Sequence, residues 1–528
     1  MIKLFHITYL IFSISIAVNS QILTSSDLPL VFINTNGQEI VDEPRIRADM
    51  GIVYNGEGER NSVTDPFNNY SGKINIEIRG TTSQSFPKKQ YGFETQTEDG
   101  ENRNVSLLGM PEENDWILHA PFSDKTLIRN ALAYHLYGLT GHYSVRTQFC
   151  ELVLNGNYQG VYLIMEKIKR DKNRVNISSL SENDISGDDL TGGYIFKADR
   201  VDTTCDLWGS TYDPFYFVHS YPDCEEIAPE QEHYIRHFLN DYETALRQYS
   251  FDDPVNGYRK YIDVPSFIDF LIINELGKNI DAYVLSTFYY KDKDSENDKL
   301  HAGPVWDFNL AFGNASYRGG YKTDSLMVPE LTSWSILLSD TIFRTELGNR
   351  WKILRENEFS DDNLIHIIDS LVLIVYEAQQ RNFQCWDILG GEVWPNYFVG
   401  KTYYEEVGFL KNWTMERAYW LDGYFMDYHH EYKPREPFED WLYPNPFYGI
   451  LYYDFDLTAP GNISLKVYSM SGQLESVIID NEFMLPGRIQ SSWNGISDAG
   501  EKTQNGIYYL ILSIDNKIVT RRKMIKAQ

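Results

Sequence analysis

The sequence predicts an α+β protein: a sheet-rich first half, a mostly helical second half and a small all-β module at the C-terminus. Three observations carry this. Alternating apolar and polar residues recur through the first half, apolar residues at helical spacing dominate beyond the loop between Cys205 and Cys224, and short alternating stretches return after a proline-rich segment. The chain is 528 residues long, enough for two or more domains with sizeable cores, and its 15% aromatic content argues against disorder.

Taken in order, YSGKINIEIRG alternates as a strand, breaks at Gly80 and the polar run Thr81 to Ser85, and resumes in FPKKQYGFE. The two are expected to pair over a small-residue loop. In SDKTLIRNALAYHLYGLTG, Asp124 can cap a helix on which Ile128, Leu132, Leu136 and Leu139 share a face, with Gly141 as the stop. FCELVLNGNYQGVYLIMEKI reads as a hairpin turning on Asn155-Gly156. EQEHYIRHFLNDYETALRQ and VPSFIDFLIINELGKN read as amphipathic helices, as do the stretches around TIFRTELGNRWKILRENE and NLIHIIDSLVLIVYEAQQRN. From KPREPFEDWLYPNPF onward, GNISLKVYSMSGQ, GRIQSSWNGISDAG and NGIYYLILSIDNK give the pattern of a small β-sandwich, ending in the basic KIVTRRKMIKAQ. The expected division is a leader over 1–20, a main domain over 21–432, a linker over 433–442 and the sandwich over 443–528.

The leader rests on Lys3, an apolar run of signal length, and the small residues Ala17 to Ser20 before Gln21; an uncleaved anchor is the alternative. No later run is long and apolar enough to span a bilayer, so the mature protein is expected to be secreted or at the cell surface. Lys and Arg total 47 against 75 acids, a formal charge of -28, which disfavours a nucleic-acid partner and suits a solvated exported protein or one that meets cations. The four cysteines have no zinc-ligand spacing and read as structural. Cys205 and Cys224 bracket an aromatic, turn-rich loop that a disulfide would staple.

The candidate chemistry lies in KNIDAYVLSTFYYKD and GPVWDFNLAFGN. Each sets an Asp, Asp281 or Asp307, beside an apolar run, with room between them for a hairpin that returns the second acid to the first. Two carboxylates in a cleft attract a divalent cation, and phosphoryl transfer needs one acid to accept a proton and one to hold a metal. Laid on the protein-kinase pattern, Asp281 takes the catalytic-loop position, Ser286 falls on the metal-binding Asn position, and Asp307 opens an Asp-Phe-Asn where Asp-Phe-Gly would stand, with Asn309 or Thr287 able to supply an oxygen. Capping and salt-bridged aspartates are the plainer reading of the same residues. In IRGTTSQSFPKKQYGFE the hydroxyls of Thr81, Thr82, Ser83 and Ser85 could arch over phosphates with Lys88 or Lys89 reaching them, although no GxGxxG is present and a lysine pair also suits a solvated strand edge.

IRGTTSQSFPKKQYGFE, DWILHAPFSDKTLIRNALAYHLY, ELVLNGNYQGVYLIMEKI and GPVWDFNLAFGN together resemble, in order and spacing, the CotH (spore coat protein H) family of atypical, secreted kinase-like proteins, over roughly Leu28 to Tyr432. The resemblance implies an atypical two-lobed, protein-kinase-like domain that binds ATP with Mg or Mn, Ca being the alternative ion, and phosphorylates Ser or Thr of a protein substrate. It puts the catalytic Asp at Asp281 and the metal-binding Asp at Asp307, with Ser286 and Asn309 as further metal ligands. It makes Arg79, Lys88 and Lys89 the phosphate contacts. By position alone, Arg129 would orient this loop or its carboxylates and Glu166 would stand at the adenine hinge. Ser286 in place of Asn departs from the pattern, so a catalytically weak or inactive surface protein on the same fold stays open. The tail, with YPNPF, LKVYSMSGQ, NGIYYLIL and RRKMIK, resembles the C-terminal sorting domain read by the type IX secretion machinery of Bacteroidetes-type bacteria; a generic sandwich for carbohydrate or partner binding is its alternative.

Overall fold

In a computed structural model, the described residues are 23–200, 208–426, 440–457, 460–485 and 487–527. The leader, Cys205 and most of the expected linker lie outside them.

The first part closes into a barrel. Strands β1 (Leu30–Asn34), β2 (Ile46–Val53), β3 (Tyr70–Ile78), β4 (Tyr91–Gln96) and β5 (Asp115–His119) are followed, after helix α1 (Arg129–Leu139), by the hairpin β6 (Thr147–Leu154) and β7 (Asn157–Glu166). They run around the barrel in the order β1-β2-β3-β4-β5-β7-β6, and β6 closes it by pairing parallel with β1. Closure leaves no free sheet edge, and the inward residues Val31, Ile74, Ile76, Phe93, Leu118, Leu152 and Ile164 fill the interior. The β3–β4 pair forms as expected, with Ile78 opposite Tyr91. The β6–β7 turn sits on Asn155 and Gly156 with φ of 50° and 77°, the two positive values that a tight two-residue hairpin requires.

Helix α1 starts at Arg129, later than a cap at Asp124 would place it. The Asp124 carboxylate nonetheless accepts the Arg129 N–H at 2.8 Å and the Arg129 guanidinium at 2.6 Å, so it closes the helix start from inside the preceding loop.

The second part wraps helices around a five-stranded antiparallel sheet. The strands are β8 (Tyr194–Asp199), β9 (Trp208–Gly209), β10 (Tyr216–Tyr221), β11 (Thr287–Lys291) and β12 (Leu300–Ala302), in the order β9-β10-β8-β11-β12. Helices α2 (Pro229–Arg247), α3 (Val264–Gly277) and α4 (Thr341–Glu356) follow the expected amphipathic stretches, the next expected stretch is divided between α5 (Asp361–Ile374) and α6 (Ala378–Cys385), and α7 (Tyr403–Met426) is a long helix not assigned from the sequence. α3 is buried along nearly its whole length and, with α1, α4 and α7, forms one core with the sheet. α6 docks this part on the barrel: Arg381 pairs with Glu151 at 2.5 Å, and Asn382 accepts the Val161 N–H at 3.1 Å.

The C-terminal segment adds a three-stranded sheet, β13 (Asp440–Tyr443), β14 (Leu451–Leu457) and β17 (Gly487–Trp493), and a four-stranded one, β15 (Gly461–Ser469), β16 (Leu474–Met484), β18 (Gly506–Ile514) and β19 (Lys517–Lys526). Phe447, Phe455, Leu465, Trp493 and Leu512 join both sheets in one core. The first of these strands begins inside the expected linker, and Tyr404 of α7 stacks on Tyr443 with ring centroids 4.2 Å apart.

Of the cysteines, Cys224 is disulfide-bonded, whereas Cys150 and Cys385 are free thiols. Among the described residues no helix is long and apolar enough to cross a membrane.

At the centre of the helical part, Arg417 of α7 and Glu275 of α3 form an ion pair at 2.8 Å with both side chains fully buried. Arg417 also donates to the carbonyls of Glu275, Thr323 and Ser325, and Glu275 accepts from the Tyr283 hydroxyl and the Met327 and Val328 N–H groups. Removing one partner strands the other charge in the core, so Arg417→Ala is expected to cost about 3–5 kcal/mol, measured as a lower midpoint in urea unfolding.

Candidate functional site

α3 ends with Lys278 in the left-handed conformation, φ 45°, and releases the chain into a turn that carries Asp281. In that turn the Asp281 N–H donates to Asn279 Oδ1 at 3.3 Å, and the Asp281 carbonyl accepts from Leu285 N–H at 2.9 Å. Tyr283 and Ser286 also have positive φ, 72° and 50°. Three non-glycine residues in this region within nine positions store strain that the surrounding contacts must hold.

The chain then forms the β11–β12 hairpin, with Tyr289 opposite Ala302, and comes back at Gly303 into the segment that carries Asp307. Asp307 is itself left-handed, φ 61°. Helix α1 holds this strained turn from below. The Tyr134 hydroxyl accepts the Asp307 N–H at 3.2 Å, Asn130 Oδ1 accepts the Phe308 N–H at 2.7 Å, and the Arg129 guanidinium donates to the Ala311 carbonyl at 3.1 Å. Asn130 is aligned in turn by His119, whose Nε2 lies 3.3 Å from Asn130 Nδ2 and whose Nδ1 lies 2.9 Å from Gln90 Oε1. Burial pushes His119 down to about 3, so the ring is neutral, with its proton on Nδ1 facing Gln90 and Nε2 accepting from Asn130.

The electrostatics join residues that the sequence keeps apart. Burial first, and then the negative charge of Asp281, pushes the Asp307 carboxyl up to about 7, against the pull of Arg79. Burial also raises Asp281, opposed by the charges of Arg318 and Arg200. Arg79 leaves the barrel at the end of β3 and lies over the Trp306 ring at 5.7 Å, while Tyr134 stacks on Trp306 with centroids 6.0 Å apart. Asp281, Asp307 and Arg79 therefore share one field beside an aromatic wall.

The other expected site residues are placed differently. Lys88 is buried in the barrel wall, donating to the Val161 carbonyl at 2.5 Å and to Asn382 Oδ1 at 2.9 Å, under the Tyr162 ring. Burial brings its pKa down to about 7. Lys89 donates to the Gln84 carbonyl at 2.6 Å, within its own loop. Glu166 is fully buried and accepts from Arg146 at 2.8 Å and the Tyr143 hydroxyl at 3.0 Å. Arg129 ties the helix start to the loop after Asp307. Ser286 lies at the end of the Asp281 turn, and the Asn309 carbonyl accepts from the Asn314 amide at 2.7 Å.

Sequence reasoning missed Asp199, Lys197 and Arg200 at the end of β8. Asp199 raises both carboxyls, Lys197 lowers Asp307 and Arg200 lowers Asp281. Lys197 and Asp199 pair at 2.7 Å. Their spacing of two on an alternating strand places them on one face, a signal visible in YIFKADR. Among the described residues no group of three or more His, Cys, Asp or Glu side chains is arranged to hold a metal ion. The chemistry available is that of two coupled carboxyls, one of them titrating near neutrality, beside a guanidinium: proton acceptance, and oxygen ligands for a hard cation.

The model of the family described as CotH kinase protein matches residues 76–421, more than half of the chain, and the protein belongs to the CotH family. No curated protein matches it. Solved structures that match include dimeric latent PorU from Porphyromonas gingivalis, 21% identical over 17% of this chain and 9% of that one with a TM-score of 0.15. Another is the alkylpurine DNA glycosylase AlkC of Pseudomonas fluorescens bound to DNA with an abasic-site analogue, 10% identical over 37% of this chain and 52% of that one with a TM-score of 0.14. The chain thus spans less than two thirds of either structure, and likenesses this slight carry no argument about fold or function.

With its carboxyl raised from 3.8 to about 7, Asp307 binds more protons in the folded than in the unfolded state between those values. Its contribution to stability is present below about pH 4 and is lost as pH rises through 7. Asp307→Asn removes that loss, so the variant is expected to gain on the wild type, by on the order of 4 kcal/mol, between pH 4 and pH 8 in paired urea titrations.

Proposed function

From membership of the CotH family, we propose that the protein is an exported kinase that transfers the γ-phosphate of ATP to Ser or Thr hydroxyls of a protein acceptor with Mg or Mn. The observation that supports it most is the raised Asp307 carboxyl facing Asp281 and Arg79. A buried carboxyl raised further by a second carboxylate, despite the opposing pull of Arg79 and Lys197, is stabilised by a divalent cation, and its oxygens are the ligands such a cation takes. The donor set thus fits metal-bound ATP, which when bound would supply the phosphoryl group and the positive charge that offsets it.

In this reading Asp281 accepts the proton of the acceptor hydroxyl, its carboxyl raised by burial against the pull of Arg318 and Arg200. Asp307, with oxygens of Asn309 and Ser286, would hold the metal. Arg79, fixed against Trp306, is the cation on the barrel side that meets phosphate oxygens. Arg129, Asn130 and Tyr134 are positioning residues that keep Asp307 in its left-handed conformation. The leader and the C-terminal sheets serve export and surface delivery through the type IX machinery.

A second reading, a surface protein on the same fold without turnover, is favoured by the placement of Lys88 and Lys89, whose ammonium groups are already engaged by protein oxygens. Radiolabelled transfer from ATP to the protein itself or to a generic protein acceptor separates the two. Transfer that requires Mg or Mn, stops on chelation, and falls at least about 100-fold in Asp281→Asn and Asp307→Asn is the expected result. No transfer, and no thermal shift with ATP and metal, establishes the second reading instead.

Ser286 occupies a left-handed backbone position that Asn adopts at lower cost. Ser286→Asn is therefore expected to hold or raise the melting temperature and to lower the metal concentration needed for half-maximal transfer.

A further inference from the structure

A cavity of about 510 Å³ lies between the loop Tyr321–Asp324 and one face of α7, and neither Asp281 nor Asp307 lines it. α7 contributes Phe409, Asn412, Trp413 and Glu416, which recur at helical spacing and so share a face. Across the cavity, Tyr321 and Tyr397 stack with centroids 4.1 Å apart and planes inclined by 12°, and Tyr397 remains 50% exposed. Outside the lining, on the same two segments of chain, Tyr317 stacks on Trp394, itself 58% exposed, with planes inclined by 10°.

The backbone that carries these rings, and the Trp413 ring itself, are held by hydrogen bonds within the chain. The Tyr397 N–H donates to the Asn314 carbonyl at 2.8 Å, the Ser316 N–H donates to the Pro395 carbonyl at 2.8 Å, and Trp413 Nε1 donates to the Tyr321 carbonyl at 2.8 Å. An exposed, preformed aromatic surface costs solvation free energy unless something covers it.

We propose that this cavity binds a neutral saccharide. Tyr321 and Tyr397 stack on each other, so the pair offers one flat, half-exposed face suited to the apolar face of a pyranose ring, beside Phe409, which is tilted by 42° to Tyr397. The rim carries Lys322, Asp324 and Glu416 together with the Asn412 amide. Charges of both signs with an amide suit hydroxyls, each of which donates and accepts, whereas a strongly charged ligand would meet a like charge at one side or the other. The volume is in the range of cavities that hold small organic ligands. None of these residues belongs to the proposed phosphotransfer machinery, so the inference stands whether or not the acids turn over.

The test uses the full chain and neutral tetrasaccharides (maltotetraose, cellotetraose, mannotetraose and N-acetylchitotetraose) in calorimetric titrations, with a tetra-arginine peptide as the charged control. A second arm uses one high-mannose glycoprotein before and after enzymatic deglycosylation, which separates free from protein-linked glycan as the source. Saturable binding of at least one saccharide or of the glycosylated form, weakened about tenfold in Tyr397→Ala or Asn412→Ala and unchanged in Asp307→Asn, is the expected result. Both positions are exposed, and unchanged circular dichroism verifies that the variants fold. No binding at about 10 mM, binding insensitive to both substitutions, or binding of the arginine peptide alone overturns the proposal.

Discussion

The Glu275–Arg417 pair is the interaction on which the helical part depends. Burial pushes Glu275 up and Arg417 down to about 10, so each is costly without the other. The pair is retained among apolar helices because it satisfies several backbone groups at once: the Glu275 carbonyl within α3, the Thr323 and Ser325 carbonyls, and the Met327 and Val328 N–H groups. It also receives the hydroxyl of Tyr283, which lies two residues beyond Asp281. One buried contact thereby fixes the turn that presents an acid and the loop that rims the cavity beside α7.

From that anchor the site is built against resistance. Asp307 and Ser286 sit in backbone conformations that cost energy, and the two acids repel. What opposes this is a rigid layer beneath: α1 supplies Tyr134, Asn130 and Arg129 in succession along the Asp307–Ala311 segment, and neutral His119 and Gln90 from the barrel side keep Asn130 in register. Barrel and helices therefore both contribute to the orientation of one carboxylate. Strain and like-charge repulsion held by over-determined contacts are the signature of a place kept for binding or chemistry and not for stability.

Much of this was legible in the sequence, and the reason is periodicity. The β3–β4 and β6–β7 pairs, α1, α3 and the hairpin that returns Asp307 toward Asp281 follow from alternation, helical spacing and turn residues. Barrel closure was not legible, because the parallel β1–β6 pair joins residues more than a hundred positions apart and leaves no local mark. Asp281 and Asp307 stood out because an acid beside apolar runs is unusual, whereas Arg79 was singled out only through the resemblance to the CotH family. Asp199 and Lys197 escaped because a charged residue near a strand end is ordinary until the fold shows what it faces.

Lys88 shows where motif reasoning and burial part. In the sequence it is half of a lysine pair after a hydroxyl-rich loop, an arrangement that suits phosphate. In the fold it is nearly inaccessible, and the oxygens it meets are the carbonyl of Val161 on β7 and the amide of Asn382 on α6, the same amide that accepts the Val161 N–H. A lysine whose pKa falls to about 7 by burial gains little from its charge and much from its hydrogen bonds and its place under Tyr162. It acts as a strut between barrel and helices, alongside Arg381 and Glu151. Burial lowers Arg79 as well, against the pull of Asp307, but a guanidinium keeps its charge in nearly all protein environments, so Arg79 is the basic group of that block suited to meet an anion at the acids.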